Sequence, residues 1–121
     1  MSAPKRIQMS RQRPWRADNP DAVIVSRPSR WGNPVRWWPS KPVPGAEDYT
    51  GITPDEARAL EVQGFREMLA DPDARAVNEY PSDDEIVTAL AGRDLACWCP
   101  LPEPGKPDIC HAAVLLEIGN V

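Results

Sequence analysis

Proline constrains this chain more than any other residue: fifteen of its 121 residues are proline, more than twice the usual share. Each one fixes φ and removes a backbone donor, so it is shut out of helix interiors and central strands. Regular elements must then be few and fit between prolines, joined by long, stiff connections. A chain of this length fits one domain spanning residues 1 to 121, burying roughly 65% of the surface its unfolded form exposes. Apolar residues at 41% and charged residues at 26% are near globular averages and exclude wholesale disorder. No apolar run approaches the roughly 18 residues that cross a bilayer, and Met1 to Arg16 lacks the apolar middle of a signal peptide. The expectation is a soluble, cytoplasmic protein with no membrane partner.

The segments that escape proline are readable. Arg6 to Met9 and Ala22 to Ser26 have strand character, and Ala-Val-Ile-Val is continuously apolar, as for a strand covered on both faces. Thr53-Pro54-Asp55-Glu56 is a helix start, with Thr53 as N-cap, Pro54 at N1 and Glu56 closing a capping box. Ala57, Leu60, Gly64, Phe65 and Met68 then share one face to about Ala70. Ser82-Asp83-Asp84-Glu85 repeats the signature, and Ile86, Val87 and Leu90 line a shorter helix that stops before Gly92. Leu95 to Cys99 reads as a buried strand. Pro100 to Pro107 is a stiff loop, and Asp108 is placed to cap a last helix through Ile118, with Gly119 as terminator. The stretch from Pro34 to about Gly51 reads as ordered loop in which Trp37 and Trp38 need packing partners. The order strand, strand, helix, helix, strand, helix predicts an α/β or α+β domain with a small, partly parallel sheet and about three helices packed on it.

Charge divides the chain more sharply than its total suggests. Residues 1 to 41 carry nine cations against two acids, net +7, and the rest carry five cations against sixteen acids, net −11, which gives the overall −4. The basic segment, 1 to 41, also holds four of the five tryptophans, a mixture suited to phosphates and stacked bases. The acidic, helical segment from 52 to 121 holds the cysteines. The two halves can equally well fold together and neutralise one another.

All three cysteines and the only histidine fall within fifteen residues, as Cys97-Trp98-Cys99 and Cys110-His111. An odd thiol count is poor material for a secreted disulfide framework. On a strand, positions 97 and 99 point to one face and Trp98 to the other. A stiff return loop then brings Cys110 and His111 beside the strand's end. Three thiolates and one imidazole make a tetrahedral set for Zn2+, so Cys97, Cys99, Cys110 and His111 are candidate metal ligands, although adjacent helical residues diverge by about 100° and strain joint ligation. With Asp108 as N-cap, Cys110 sits at N2, where the helix dipole lowers a thiol pKa; Cys110 and His111 are then a candidate catalytic pair. Small buried thiols that only pack a strand on a helix are the third alternative.

Arg-Pro-Ser-Arg-Trp-Gly-Asn-Pro, residues 27 to 34, follows the second strand, where open sheets place ligand loops. Arg27 and Arg30 offer forked contacts to an anion, Ser29 a hydroxyl, Trp31 a stacking face and Asn33 an amide. It lacks the glycine-rich pattern and lysine of a phosphate loop. Equally, Trp31 can fill the core and Asn33-Pro34 make a turn.

Together with Leu-Ala-Cys-Trp-Cys (95 to 99) and Cys-His-Ala-Ala-Val-Leu-Leu-Glu (110 to 117), the Arg27 loop resembles domain of unknown function 4326, a small bacterial and bacteriophage family, over roughly residues 5 to 120. Its members usually have a shorter link between Cys99 and Cys110, and often phenylalanine where Val35 stands. The resemblance implies a bacterial or phage-infected cell and a motif set rather than a reaction. The leading expectation is a nucleotide- or nucleic-acid-related binding protein, with an enzyme as one form of it, that uses the arginine loop for anions beside the Cys/His cluster. The competing class is a small phage-type protein that binds a host protein through acidic or tryptophan-rich surface.

Overall fold

A computed structural model describes residues 4–35 and 54–120. Trp37, Trp38, the loop to Gly51 and the Thr53 cap lie outside them. The described elements are β1 (Arg6–Gln8), α1 (Trp15–Asp18), β2 (Val23–Ile24), α2 (Pro54–Ala70), α3 (Pro72–Val77), α4 (Asp83–Leu90), β3 (Leu95–Cys97) and α5 (His111–Gly119). No helix among the described residues is long and apolar enough to cross a membrane.

The strands form one parallel sheet in the order β1-β3-β2. The last strand in sequence is therefore the central one, and Leu-Ala-Cys is the segment free of proline, charge and polar side chains that can be covered on both faces. Register follows from side-chain alternation. Ile7, Ala96 and Ile24 align across the sheet and, with Met9, face a small cluster covered by Trp15 and Ala22. The opposite face carries Val25, Leu95 and Cys97 into the main core, where Phe65, Met68, Ile86, Leu90 and Leu115 join them. The fold is thus a single small α/β domain, with the three expected helices α2, α4 and α5 and two short ones, α1 and α3, that the sequence pattern does not predict.

Local chemistry sets the helix ends. Ser82 Oγ accepts the Glu85 amide at 3.2 Å, as the capping signature requires. Asp71 caps α3 through the Asp73 and Ala74 amides, with Pro72 at the first helical position. Gly92, at φ 74°, turns the chain after α4 and donates its amide to Asn120 Oδ1 at 2.9 Å, which ties the ends of α4 and α5 together. On α2 the buried stripe differs from the expected one. Leu60 is exposed, while Val62, Phe65, Met68 and Leu69 pack inward, because the first half of α2 borders a cleft and not the sheet. Val87 of α4 is likewise exposed, since Ile86 and Leu90, four residues apart, already fill the contact. The two charge halves meet directly: Arg6 pairs with Asp108, Arg27 approaches Glu61 and Arg30 pairs with Glu85.

Candidate metal centre and cleft

Strands β2 and β3 end side by side, and the start of α5 comes back to meet them. The carboxyl ends of parallel strands are where open sheets leave room for ligands. Here they border a cleft of about 230 Å3, walled by Ser26, Arg27 and Asn33 on one side, Arg58 and Glu61 of α2 on another, and the cysteines at the base.

Cys97 is the last residue of β3, and its main chain is fixed when the Met9 amide donates to the Cys97 carbonyl at 2.9 Å. Alternation puts Cys99 on the same side, and the two sulfurs lie 3.9 Å apart. Pro100 ends pairing, and the chain returns through a turn at Gly105 (φ 82°) to Cys110. Cys110 is the N-cap of α5, in extended conformation, and its side chain makes no capping bond. The Sγ atoms of Cys97, Cys99 and Cys110 all lie within 4.8 Å of one another, and Cys97 and Cys110 are buried.

Asp108 is therefore not the N-cap, and Cys110 is not at N2. The physical reason is Arg6. Its guanidinium is buried and draws the Asp108 carboxylate away from the helix: Nε donates to Asp108 Oδ2 at 2.5 Å, while Nη1 and Nη2 donate to the Cys99 and Pro100 carbonyls at 2.8 and 2.6 Å. One side chain thus fastens both ends of the Pro100–Pro107 link, which fixes Cys99 relative to Cys110. Arg6 was legible only as one cation among nine. The missed signal was a charge at an inward position of a short strand.

The three thiols titrate as a unit. Hydrogen bonds from Cys110 and then Cys99 hold the Cys97 thiol far below the usual range, against the cost of burial. The Cys110 thiol is pushed up, first by donating to Cys97 and Cys99 and then by burial. At Cys99 the bond with Cys110 pulls down, but the bond with Cys97 and burial outweigh it, so its thiol is also raised. Within the triad the downward shift falls on Cys97 and the upward shifts on Cys99 and Cys110, and with Cys110 at the N-cap and not at N2 the helix-dipole argument for its activation loses its geometric basis. A set with one charge and two retained protons is what a divalent cation would complete by displacing both protons.

His111 is buried. A carbonyl only accepts, so Nε2 carries the hydrogen in its 2.7 Å bond to the Val25 carbonyl. Nδ1 is left facing the cluster, 3.9 Å from Cys110 Sγ, and the ring meets Phe65 edge to face at 5.5 Å.

The arginine loop is divided. Arg27 and Asn33 border the cleft, but both hold the loop's shape. Arg27 Nε donates to the Asn33 carbonyl at 2.6 Å and Nη2 to the Val35 carbonyl at 3.1 Å, while the Asn33 amide donates to the Glu61 carbonyl at 3.1 Å. Gly32 permits this, because a Cβ there would stand 3.0–3.1 Å from Arg27 atoms. The other three candidates are not brought to the cysteines. Trp31 is buried in the core, and its carbonyl accepts the Tyr80 hydroxyl at 2.7 Å. Arg30 lies over the Trp31 ring and pairs with Glu85, in a separate groove against α4. Ser29 Oγ is buried without a hydrogen-bond partner among the described residues.

No curated protein and no solved structure matches the chain. A family model does match, over residues 7–121, almost the whole length. The buried cysteine cluster, the loop from Arg27 and the helix from His111 all fall within that span, and the chain belongs to the family described as Domain of unknown function (DUF4326).

Proposed function

We propose that this domain is a zinc-centred binding module whose cleft takes a small ligand carrying an anionic group, a nucleotide being the leading class. The observation that carries the reading is the convergence of three sulfurs within 4.8 Å at the cleft's base. Tetrahedral zinc with bonds of about 2.3 Å to sulfur separates its thiolates by about 3.8 Å, close to the 3.9 Å between Cys97 and Cys99. His111 supplies the fourth ligand through Nδ1. Its support is the bond from Nε2 to the Val25 carbonyl, since a ligating imidazole ordinarily donates its other N–H to a backbone carbonyl or carboxylate. The metal pins α5 to the ends of β2 and β3 and gives the cleft a rigid floor.

Arg27 and Arg58 at the rim, each also facing an acid (Glu61 and Asp55), supply the guanidinium groups for an anion, and Ser26 and Asn33 add polar groups. A volume of about 230 Å3 is below the usual range for drug-sized ligands, so the cleft suits one nucleotide unit or less. Native mass spectrometry of freshly purified protein, with and without chelator, tests the reading. It predicts one zinc per chain, lost with chelator, together with a lower melting temperature. A metal-free protein whose melting temperature ignores added zinc would remove the metal centre. For the ligand, Arg58→Ala is expected to weaken a bound nucleotide by about 1.5–3 kcal/mol with little effect on melting. Arg27→Ala is expected to lower both, because Arg27 also holds its loop.

A further inference from the structure

At the edge of the cleft, where Trp98 is one of the lining residues, an exposed indole meets arginines that make no ion pair among the described residues. Trp98 is 48% exposed, and Leu101 beside it is 50% exposed. An indole is ordinarily worth far more buried than left in water, so its exposure on a fixed support is informative. The support is fixed three ways. Cys97 and Cys99 turn into the cluster on either side of Trp98, Arg6 holds the Cys99 and Pro100 carbonyls, and the Leu101 amide donates to Gln8 Oε1 at 3.3 Å.

The chain leaving β1 runs beside this turn, because Met9 pairs with Cys97. That register sets Arg11 over Trp98, its guanidinium carbon 5.7 Å from the ring centroid. Arg11, Arg13 and Arg16 are exposed and make no ion pair among the described residues, and Met9 to Ala17 contains no carboxylate. Most other arginines of the described residues face an acid. In a protein of net charge −4, these cations fall within six residues of one another, and the first of them, Arg11, lies over the exposed indole.

We infer that this face binds single-stranded nucleic acid: an unpaired base stacks on Trp98 with Arg11, and the following phosphates run along Arg11 and Arg13. Stacking on an aromatic ring beside a cationic track is the general chemistry of single-strand binding. A duplex offers no free base face to the indole, and α1, a single turn of four residues, is too short to read a groove. The inference goes beyond the proposed zinc and cleft ligand: Trp98 borders the cleft, but Arg11 and Arg13 are not among its lining residues, so their substitution tests this face alone.

The test is fluorescence anisotropy of a labelled oligothymidylate of about 20 nucleotides with the full chain, over a range of salt. Binding is expected at low salt, weakening by a log–log slope of about −0.7 for each phosphate neutralised. Arg11→Ala/Arg13→Ala should weaken binding and reduce that slope by about 1.4. Trp98→Ala should weaken it about tenfold or more, with Trp98→Phe retaining most of the affinity. Zinc content by native mass spectrometry and melting temperature of the Arg11→Ala/Arg13→Ala protein should match those of the parent chain, which separates failure here from failure of the metal centre. Should Trp98→Ala not fold, the charge reversal Arg11→Glu/Arg13→Glu abolishes binding if the inference holds. Absence of binding at low salt overturns it, as does binding that ignores these substitutions. A preference for duplex, or for vesicles of anionic lipid over the oligonucleotide, also overturns it.

Discussion

Replacing Arg6 with methionine keeps an unbranched side chain, two atoms shorter, and removes its charge and all three of its side-chain hydrogen bonds. The guanidinium side chain is 3% exposed and the Asp108 carboxylate 18%. The substitution therefore leaves a carboxylate largely cut off from water and strips two carbonyls of a charged donor. Three charged hydrogen bonds at about 1.5–3 kcal/mol each would give an upper sum, but bonds from one group are not additive. Breaking a buried ion pair from one side costs about 3–5 kcal/mol, and the residual access of Asp108 to water favours the lower half of that range. Such a loss is a large part of the roughly 5–15 kcal/mol that holds a domain together. At about 3–5 °C per kcal/mol for a chain of this size, the melting temperature falls by about 10–20 °C. Urea denaturation followed by circular dichroism, in reductant and chelator, measures this without the metal. The double variant Arg6→Met/Asp108→Leu should recover at least 1.5 kcal/mol, roughly, because it removes the stranded charge. A single-variant loss below about 1 kcal/mol, or strict additivity in the double variant, would refute Arg6 as the clamp of the Cys99–Cys110 link.

Tyr80→Phe removes the donor to the Trp31 carbonyl while keeping the ring against Phe65 (5.3 Å, 81°), and should cost about 1–2 kcal/mol in urea denaturation. Gly64→Ala puts a Cβ 2.6 Å from Val35 Cγ1, so a change that ordinarily favours a helix by about 1 kcal/mol should instead destabilise, by about 1–3 kcal/mol, and Val35→Ala in the same chain should reverse the sign. Metal affinity should rise with pH between 6 and 8. Cys97 is readily ionised while Cys99 and Cys110 keep their protons, so binding displaces about two protons and gains about tenfold per proton per pH unit, which titration calorimetry in buffers of different ionisation enthalpy will count.

Periodicity and capping carried most of the fold into view. The α4 start at Ser82, the stop at Gly92 and the same-side placement of Cys97 and Cys99 all follow from rules local to a few residues. What was not legible depended on contacts across the chain. Asp108 has the residue type and spacing of a cap, and only the distant Arg6 draws it elsewhere, which leaves Cys110 as the N-cap of α5 in place of the N2 position the spacing predicts. For the arginine loop the sequence leaves ligand contact and core filling equally open, and distant partners divide it: Tyr80 fixes the Trp31 carbonyl, Trp31 is buried in the core and Glu85 draws Arg30 to α4, leaving Arg27 and Asn33 at the cleft. α1 and α3 were missed because one or two turns carry too little periodicity to register.

Zinc K-edge X-ray absorption of the purified, zinc-loaded chain tests the central claim most directly, because it counts ligand atoms by element around the metal. The account predicts one zinc per chain with three sulfurs at about 2.3 Å and one nitrogen at about 2.0–2.1 Å. Loss of a sulfur is expected on Cys110→Ser and loss of the nitrogen on His111→Ala. A shell of nitrogen and oxygen alone, or one unchanged by Cys110→Ser, would contradict it.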